Sequence, residues 1–492
     1  MKALFKKTSG SAGADCWLLA LLLAAFFLFQ LPRLDQAPWE NYDSWRQTDT
    51  YTIAQNYAQR DMNPLRPQFN YDGPGDNYVQ LELQVMPYLS AVLFKILGRE
   101  SYWVPRLISL LFFMGSAVFC YGIGHRLLKN RWAALGAFAV YLVMPISLLY
   151  SRAIMPEAAA LFFYTAAIYF FLRWYQGGGR GALALSGVVM GLAIMEKTPT
   201  AFAGLMIVVL FFKKRGLRSF KDPMFYGYGA LSMGLPLLYY WYAGQVATFT
   251  FVSGIAEKHI LKSAFTAIFT SQAWEFFLRE MPLFFSWPVL IGMLLGVLCC
   301  LKRKNLPLLL WTLSMALETA AIVAVIRFGY YMVFLAPLFA LLCAAVLLEV
   351  GKWIPKAGAV LGCVLCAAVF YHSLIVVWPI ASVNETITAQ AQVIQKVTDE
   401  EDVLAVASPD PVLLGACQRM GYRANLRYYD YIPEEPEEEL AYFLGHGVRY
   451  FVVPGGVIPG EDGEEYLELL QTRYPLVYQG EECLIFDLEG KV

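Results

Sequence analysis

Apolar runs of membrane-crossing length recur from residue 15 to about residue 380. That pattern restricts the chain to a polytopic α-helical membrane protein. A segment in hydrocarbon must satisfy its own backbone hydrogen bonds, so it crosses as a helix of about 20 residues over a core of about 30 Å. The candidate spans are 15–31, 104–127, 132–150, 155–174, 181–195, 199–213, 225–243, 282–301, 306–326, 329–350 and 357–379, which makes about 11 transmembrane helices. Charged residues are 16% of the chain, below the ~25% of soluble domains. The net charge of −1 offers no support for nucleic-acid binding.

The start, "MKALFKKTSGSAGADCWLLALLLAAFFLFQLP", has a basic head and an apolar run without a small-x-small cleavage site. It is expected to remain as a first span rather than to be removed as a signal peptide. Lys and Arg collect on cytoplasmic loops. Lys2, Lys6 and Lys7 therefore put the N-terminus inside, with the "HRLLKNR", "KKRGLRSFK" and "KRK" loops. Residues 32–103 then form a first outer loop. Within it "LELQVMPYLSAVLFKILG" (81–98) is expected to lie on the outer leaflet as an interfacial helix. An odd number of spans leaves the C-terminus outside.

Beyond residue 384 the chain turns polar and acidic. Short strand-like runs ("VLAVAS", "RYFVVPGG", "PLVYQG", "CLIFDL") alternate with helix-like ones ("PDPVLLGACQRMG", "PEEPEEELAYFLGHG"). This predicts a transmembrane domain over 1–384 and a small extracytoplasmic α/β domain over 385–492. Cys417 and Cys483 lie in this polar region and could pair; the other seven cysteines read as small apolar residues of the spans. The four histidines are scattered, so no divalent metal is indicated, although a site of carboxylates alone stays open.

Residues 39–58, "WENYDSWRQTDTYTIAQNYA", follow the first span. Asp43 and Asp49 are six residues apart, so on one helix they point about 120° from each other and make a poor dyad. One suits chemistry, while the other caps or orients. Trp39, Tyr42 and Trp45 suit the headgroup level, and Thr48 is a candidate N-cap for an amphipathic helix over "TDTYTIAQNYAQR".

An Asp-bearing first outer loop, many spans, an Arg-Leu at the start of the next span and an outer C-terminal region resemble the GT-C superfamily of membrane glycosyltransferases. The likeness is to the protein O-mannosyltransferase and aminoarabinose-transferase branch (glycosyltransferase family 39), through "DSWRQTDTYTIAQNY". It covers roughly residues 10–380. The resemblance implies transfer of a sugar from a polyprenyl-phosphate carrier to an acceptor on the outer face, with inversion. Its loop aspartate, a general base, carries over by position to Asp43. Ser44 stands where the family's glutamate usually is, and extra residues precede "YTIA", so Asp49 competes for the role.

A departing lipid phosphate needs cations, and the planar fork of arginine suits it. The candidates on the outer face are Arg46, Arg106, Arg152, Lys197 and Arg327. Glu157 follows Arg152 in "SRAIMPEAAA", and Tyr330 and Tyr331 follow Arg327 in "VIRFGYY". Glu82 is expected to meet sugar hydroxyls or to pair with Arg106. The segment 244–281 is expected to lie on the membrane, where it can close over the carrier. Expected partners are membrane lipids, a polyprenyl-phosphate sugar donor, and a glycan, lipid or protein acceptor, met by a monomer in the plasma (inner) membrane. A flippase or transporter of a lipid-linked sugar is the alternative. A transporter would place polar residues at mid-membrane and carry repeats, and neither is evident here.

Overall fold

The computed structural model describes residues 12–72, 77–354, 356–428 and 431–490. Among the described residues six helices are both long and apolar enough to cross a bilayer: Asp15–Arg33, Trp103–Leu128, Glu157–Tyr175, Leu306–Ile326, Gly329–Trp353 and Ala357–Ile380. Ser271–Phe285 and Trp287–Lys302 make a seventh only if taken together, and they bend by 98° at Ser286, where φ is +66°.

Length and composition therefore do not support the expected eleven. Each remaining candidate is helical but short or broken. The 132–150 run stops at Met144, because Pro145 forces the residue before it out of the helical region. Arg180–Glu196 and Ala203–Arg215 have 17 and 13 residues. The 225–243 run passes through a π turn at Ala230–Gly234. Hydropathy sums straight across such breaks. The 81–98 piece is the helix Val85–Leu97. Its 13 residues extend about 20 Å, too short for a core of about 30 Å.

In the first loop the helix runs Ser44–Gln59, and its N-cap position is Asp43 rather than Thr48. Every residue from Gln47 to Tyr57 is buried, so the expected amphipathic surface helix is instead an enclosed one. The C-terminal layer covers it. Strands β1 (Val79–Gln80) and β2 (Phe249–Thr250) pair in parallel and tie the first loop to the 244–281 segment. The C-terminal strands are β3 (Val403–Val406), β4 (Met420–Arg423), β5 (Val448–Pro454), β6 (Leu476–Gln479) and β7 (Cys483–Asp487). They form one mixed sheet in the order β4-β3-β5-β7-β6. Four of these match the strand-like runs. The fifth, β4, lies at the end of a stretch that reads as helical.

The sheet and the first loop share a core. Trp39, Ile53, Tyr57, Phe69 and Tyr71 pack in one apolar cluster with Ile394, Leu404, Val406, Leu413, Val452 and Ile485. Asp72 N–H donates to Gly421 O at 3.0 Å and Gly421 N–H to Asn70 O at 3.0 Å, so the loop extends the sheet beyond β4. Cys417 and Cys483 are buried in this core as free thiols. The closest approach is at Gly415, where an added Cβ would lie 2.4 Å from Thr48 Cγ2. Gly415→Val is accordingly expected to push the loop helix off the sheet at a cost of about 1–3 kcal/mol, seen as a lower melting temperature.

Candidate functional site

A cavity of about 900 Å³ opens where five segments of the chain meet. The N-terminal half of the Ser44–Gln59 helix forms one wall with Asp43, Trp45, Arg46 and Asp49. Glu82, Lys197, Tyr330 and Tyr331 form the floor beside it. Phe251, Ile255, Ile260, Ile322, Ile326 and Phe328 make an apolar flank, and Pro409 and Arg423 of the C-terminal layer close the far side.

Asp43 sits just before the helix with φ +53°, a left-handed conformation that Asp tolerates better than most residues. The Tyr150 hydroxyl donates to its Oδ2 at 2.7 Å. Burial pushes its carboxyl up to about 7, partly opposed by the Tyr150 hydrogen bond and reinforced by Glu157, Glu280 and Glu40. Asp49 lies about 9 Å further along the axis and is 4% exposed. The Tyr71 hydroxyl donates to its Oδ2 at 3.0 Å. Burial raises it to about 7 as well, against the pull of Arg46, Tyr71 and Arg423.

The cations of the floor are paired in a chain. Arg46 Nη2 is 2.8 Å from Glu82 Oε2, Lys197 Nζ is 3.1 Å from Glu82 Oε1, and the same Nζ is 2.6 Å from Glu157 Oε1. The Tyr330 and Tyr331 rings lie 4.8 and 4.9 Å from that ammonium. Burial works to raise Glu82, but Arg46 and Lys197 overcome it and hold its carboxyl at about 2. An anion entering here meets two charge-fixed cations that share one carboxylate. Glu82 thus pairs with Arg46 and Lys197 and not with Arg106, its expected structural partner.

Arg106 and Arg152 do not line the cavity. Both converge on Glu40, at 2.9 and 2.6 Å, with all three side chains at most 1% exposed. Arg106 also donates to Gln36 O and Ala37 O at 3.0 and 2.9 Å. Loop charge made both arginines candidates for a phosphate on the outer side, but helix packing turns them under the first loop. Arg327 is exposed, has φ +54°, and donates to Ala324 O at 3.4 Å. It is also outside the cavity lining, although its neighbours Ile326 and Phe328 are part of it.

Sequence reasoning missed Arg423. Its Nε donates to Asp72 Oδ2 at 2.6 Å, its Nη1 to Pro409 O at 2.8 Å, and its guanidinium lies over the Trp45 ring at 5.6 Å. No motif surrounds it, so no local signal could have marked it. Glu40, Tyr71 and Tyr150 were missed too. Tyr150 immediately precedes the "SRAIMPEAAA" stretch, and Glu40 precedes Asp43 by three residues. The 244–281 segment supplies Phe251, Ile255 and Ile260 of the apolar flank; Leu261 and Phe269 beyond them are 77% and 85% exposed, as an interfacial segment would be. Among the described residues no group of three or more His, Cys, Asp or Glu side chains is arranged to hold a metal ion.

The whole architecture has known counterparts. ArnT from Cupriavidus metallidurans in the apo state is similar over 97% of this chain and 98% of that chain, with a TM-score of 0.68 and 13% identity. The same protein bound to undecaprenyl phosphate covers 96% and 98%, with a TM-score of 0.68 and 12% identity. The oligosaccharyltransferase AglB from Archaeoglobus fulgidus, in complex with an inhibitory peptide and a dolichol-phosphate, matches over 89% of this chain and 70% of that one, at a TM-score of 0.58 and 13% identity. A family model described as dolichyl-phosphate-mannose-protein mannosyltransferase matches residues 84–241. No curated protein matches the sequence itself.

Proposed function

We propose that this chain, which has the GT-C fold of ArnT, is an inverting glycosyltransferase. It moves a sugar from a polyprenyl-phosphate carrier to an acceptor hydroxyl on the outer face of the plasma (inner) membrane, with Asp43 as general base. The observation that carries this reading is one cavity in which Asp43, Arg46 and Lys197 converge next to an apolar flank. ArnT, with the same fold, is known bound to undecaprenyl phosphate, and the apolar flank suits such a lipid.

In the proposed reaction the acceptor oxygen attacks the anomeric carbon opposite the phosphate. The carbon–oxygen bond to phosphate breaks as the new glycosidic bond forms. The acceptor proton passes to the Asp43 carboxylate, and the leaving phosphate keeps the electron pair. Arg46 and Lys197 offset its charge, which is worth most in a site with little water. The tie to Tyr150 holds Asp43 in place but leaves its other oxygen for the acceptor. A base is most effective with a pKa near the working pH, and about 7 meets that condition. Asp43 is protonated below that value and ionised above it. Transfer is therefore expected to rise as pH passes through about 7 and to level off above it. A rate that falls over the same range would argue against a carboxylate base.

The direct test is transfer from a polyprenyl-phosphate sugar donor, in membranes containing Asp43→Asn or Asp49→Asn. Turnover in wild type that neither variant impairs removes the base. Donor binding without any turnover in wild type would favour a flippase.

A further inference from the structure

The proposed donor chemistry uses only part of the cavity. Its lining is mixed: Ile255, Ile260, Ile322 and Ile326 are apolar, whereas Trp45, Asp49 and Arg423 line it from the loop helix and β4, and Phe251 packs edge-on against Phe69, which stacks on Tyr71. The two aspartates have different surroundings. Asp43 is bonded by Tyr150 of the bundle, with Glu157 and Glu280 near. Asp49 is bonded by Tyr71, with Arg46, Arg423 and Asp410 near. Asp49 thus belongs to the end of the cavity that the C-terminal layer encloses.

We propose that Asp49 and Trp45, backed by Arg423, form an acceptor subsite and that the acceptor it takes is a saccharide. The inference rests on the glycosyltransferase reading and names its acceptor class. Asp49 is 96% buried by exposure yet lines the cavity. Among the described residues the one hydrogen bond to its carboxylate is from Tyr71 to Oδ2, so Oδ1 is available. A carboxylate accepts through both oxygens and has about four lone-pair sites, which suits adjacent sugar hydroxyls. Trp45 leaves 36% of its surface open, and an indole gives the apolar face of a pyranose or furanose a broad, flat contact while its N–H stays polar. Arg423 is anchored on Asp72 and Pro409. It stacks over the Trp45 ring and thereby acts as a positioning residue for the platform. A lipid chain is better matched by the isoleucines of the apolar flank than by this end, where an acid, an indole and a guanidinium stand among Pro409, Leu426 and Tyr428. A blocked peptide hydroxyl could reach Asp49 but would leave the ring face unused.

The test uses the full chain in phospholipid nanodiscs, free of glycoside detergents. Binding of a panel of methyl glycosides and of a blocked threonine peptide is followed by saturation-transfer NMR, with and without undecaprenyl phosphate, and undecaprenyl phosphate binding is measured separately. At least one glycoside is expected to bind wild type. Its Kd is expected to rise tenfold or more in Trp45→Ala and Asp49→Asn, and less in Trp45→Phe, which retains a ring. Undecaprenyl phosphate binding is expected to survive these changes and to weaken in Lys197→Ala. Arg423→Lys, which keeps the charge but loses the fork, is expected to weaken glycoside binding and leave carrier binding intact. Binding of the peptide but no glycoside overturns the saccharide assignment, as does binding of neither, and equal loss of glycoside and carrier in Trp45→Ala and Trp45→Phe overturns the subsite. Failure of wild type to bind undecaprenyl phosphate at all would instead strike the glycosyltransferase reading.

Discussion

Asp43→Asn is expected to lower transfer about 10²- to 10⁴-fold, the range typical for removal of a general base, while polyprenyl-phosphate binding persists. Asn is isosteric, so the Tyr150 hydroxyl keeps an oxygen to bond and the backbone at φ +53° is no harder to adopt. What disappears is the ability to take a proton. The pH dependence of kcat near 7 should vanish with it, because the base is gone, while Asp49, whose carboxyl burial also raises to about 7, leaves a pH dependence in the acceptor KM. Asp49→Asn should act differently. It removes a carboxylate from the sheet-side end, so its loss should appear mainly as a higher acceptor KM rather than a lower kcat. If Asp49→Asn instead abolished kcat and Asp43→Asn left it intact, the two roles would be reversed. Both variants are best compared at pH 8, where the wild-type acids are mostly ionised.

Glu40→Gln is expected to destabilise the chain by about 3–5 kcal/mol, the cost of breaking a buried ion pair by removing one partner. Glu40 pairs with both Arg106 and Arg152, and all three are at most 1% exposed. Burial works to raise the Glu40 carboxyl, but Arg152 and Arg106 bring it below the ordinary range. With Gln in its place, two guanidinium groups stay in a dry environment with only carbonyl and amide partners. The cluster also connects distant chain segments. Glu40 bridges Val383, Asn41 N–H donates to Ser382 O at 2.9 Å, and Arg152 reaches Ala381 O at 3.5 Å. Loosening it should therefore displace the stretch that leads to Asp43. The measurement is the melting temperature of the purified chain, with donor binding measured below that temperature. A stable Glu40→Gln protein that binds polyprenyl phosphate more tightly would mean that the arginines serve the carrier instead.

Much of the site was legible because its parts sit close together in sequence. Asp43, Arg46 and Asp49 lie within one short stretch after the first apolar run, and Lys197 stood nearly alone between two apolar runs. Charge in such places is costly enough to draw notice. The partners were not legible. Glu82 meets Lys197 across 115 positions, and Arg152 meets Glu40 across 112. Loop charge reports which side of a membrane a residue occupies, and it is silent on which acid a given arginine will find. Arg106, Arg152 and Arg327 consequently looked like phosphate ligands. Two of them brace the first loop, and the third is exposed.

By itself the sequence determined the class of protein, the helical nature of its apolar runs, the strand-rich tail and the acid-bearing loop. Hydropathy, proline placement and charge act over one or two turns of chain and can be read locally. Only the tertiary structure decided that the tail is built into the site. The Asn70–Asp72 segment joins β4, Gly415 admits the loop helix, and Arg423 arrives beside Asp49 from a strand whose first two residues local pattern had read as the end of a helix. Those contacts depend on packing between segments more than 300 residues apart, where the energy lies in a shared core and paired buried charges rather than in any neighbouring residue's preference.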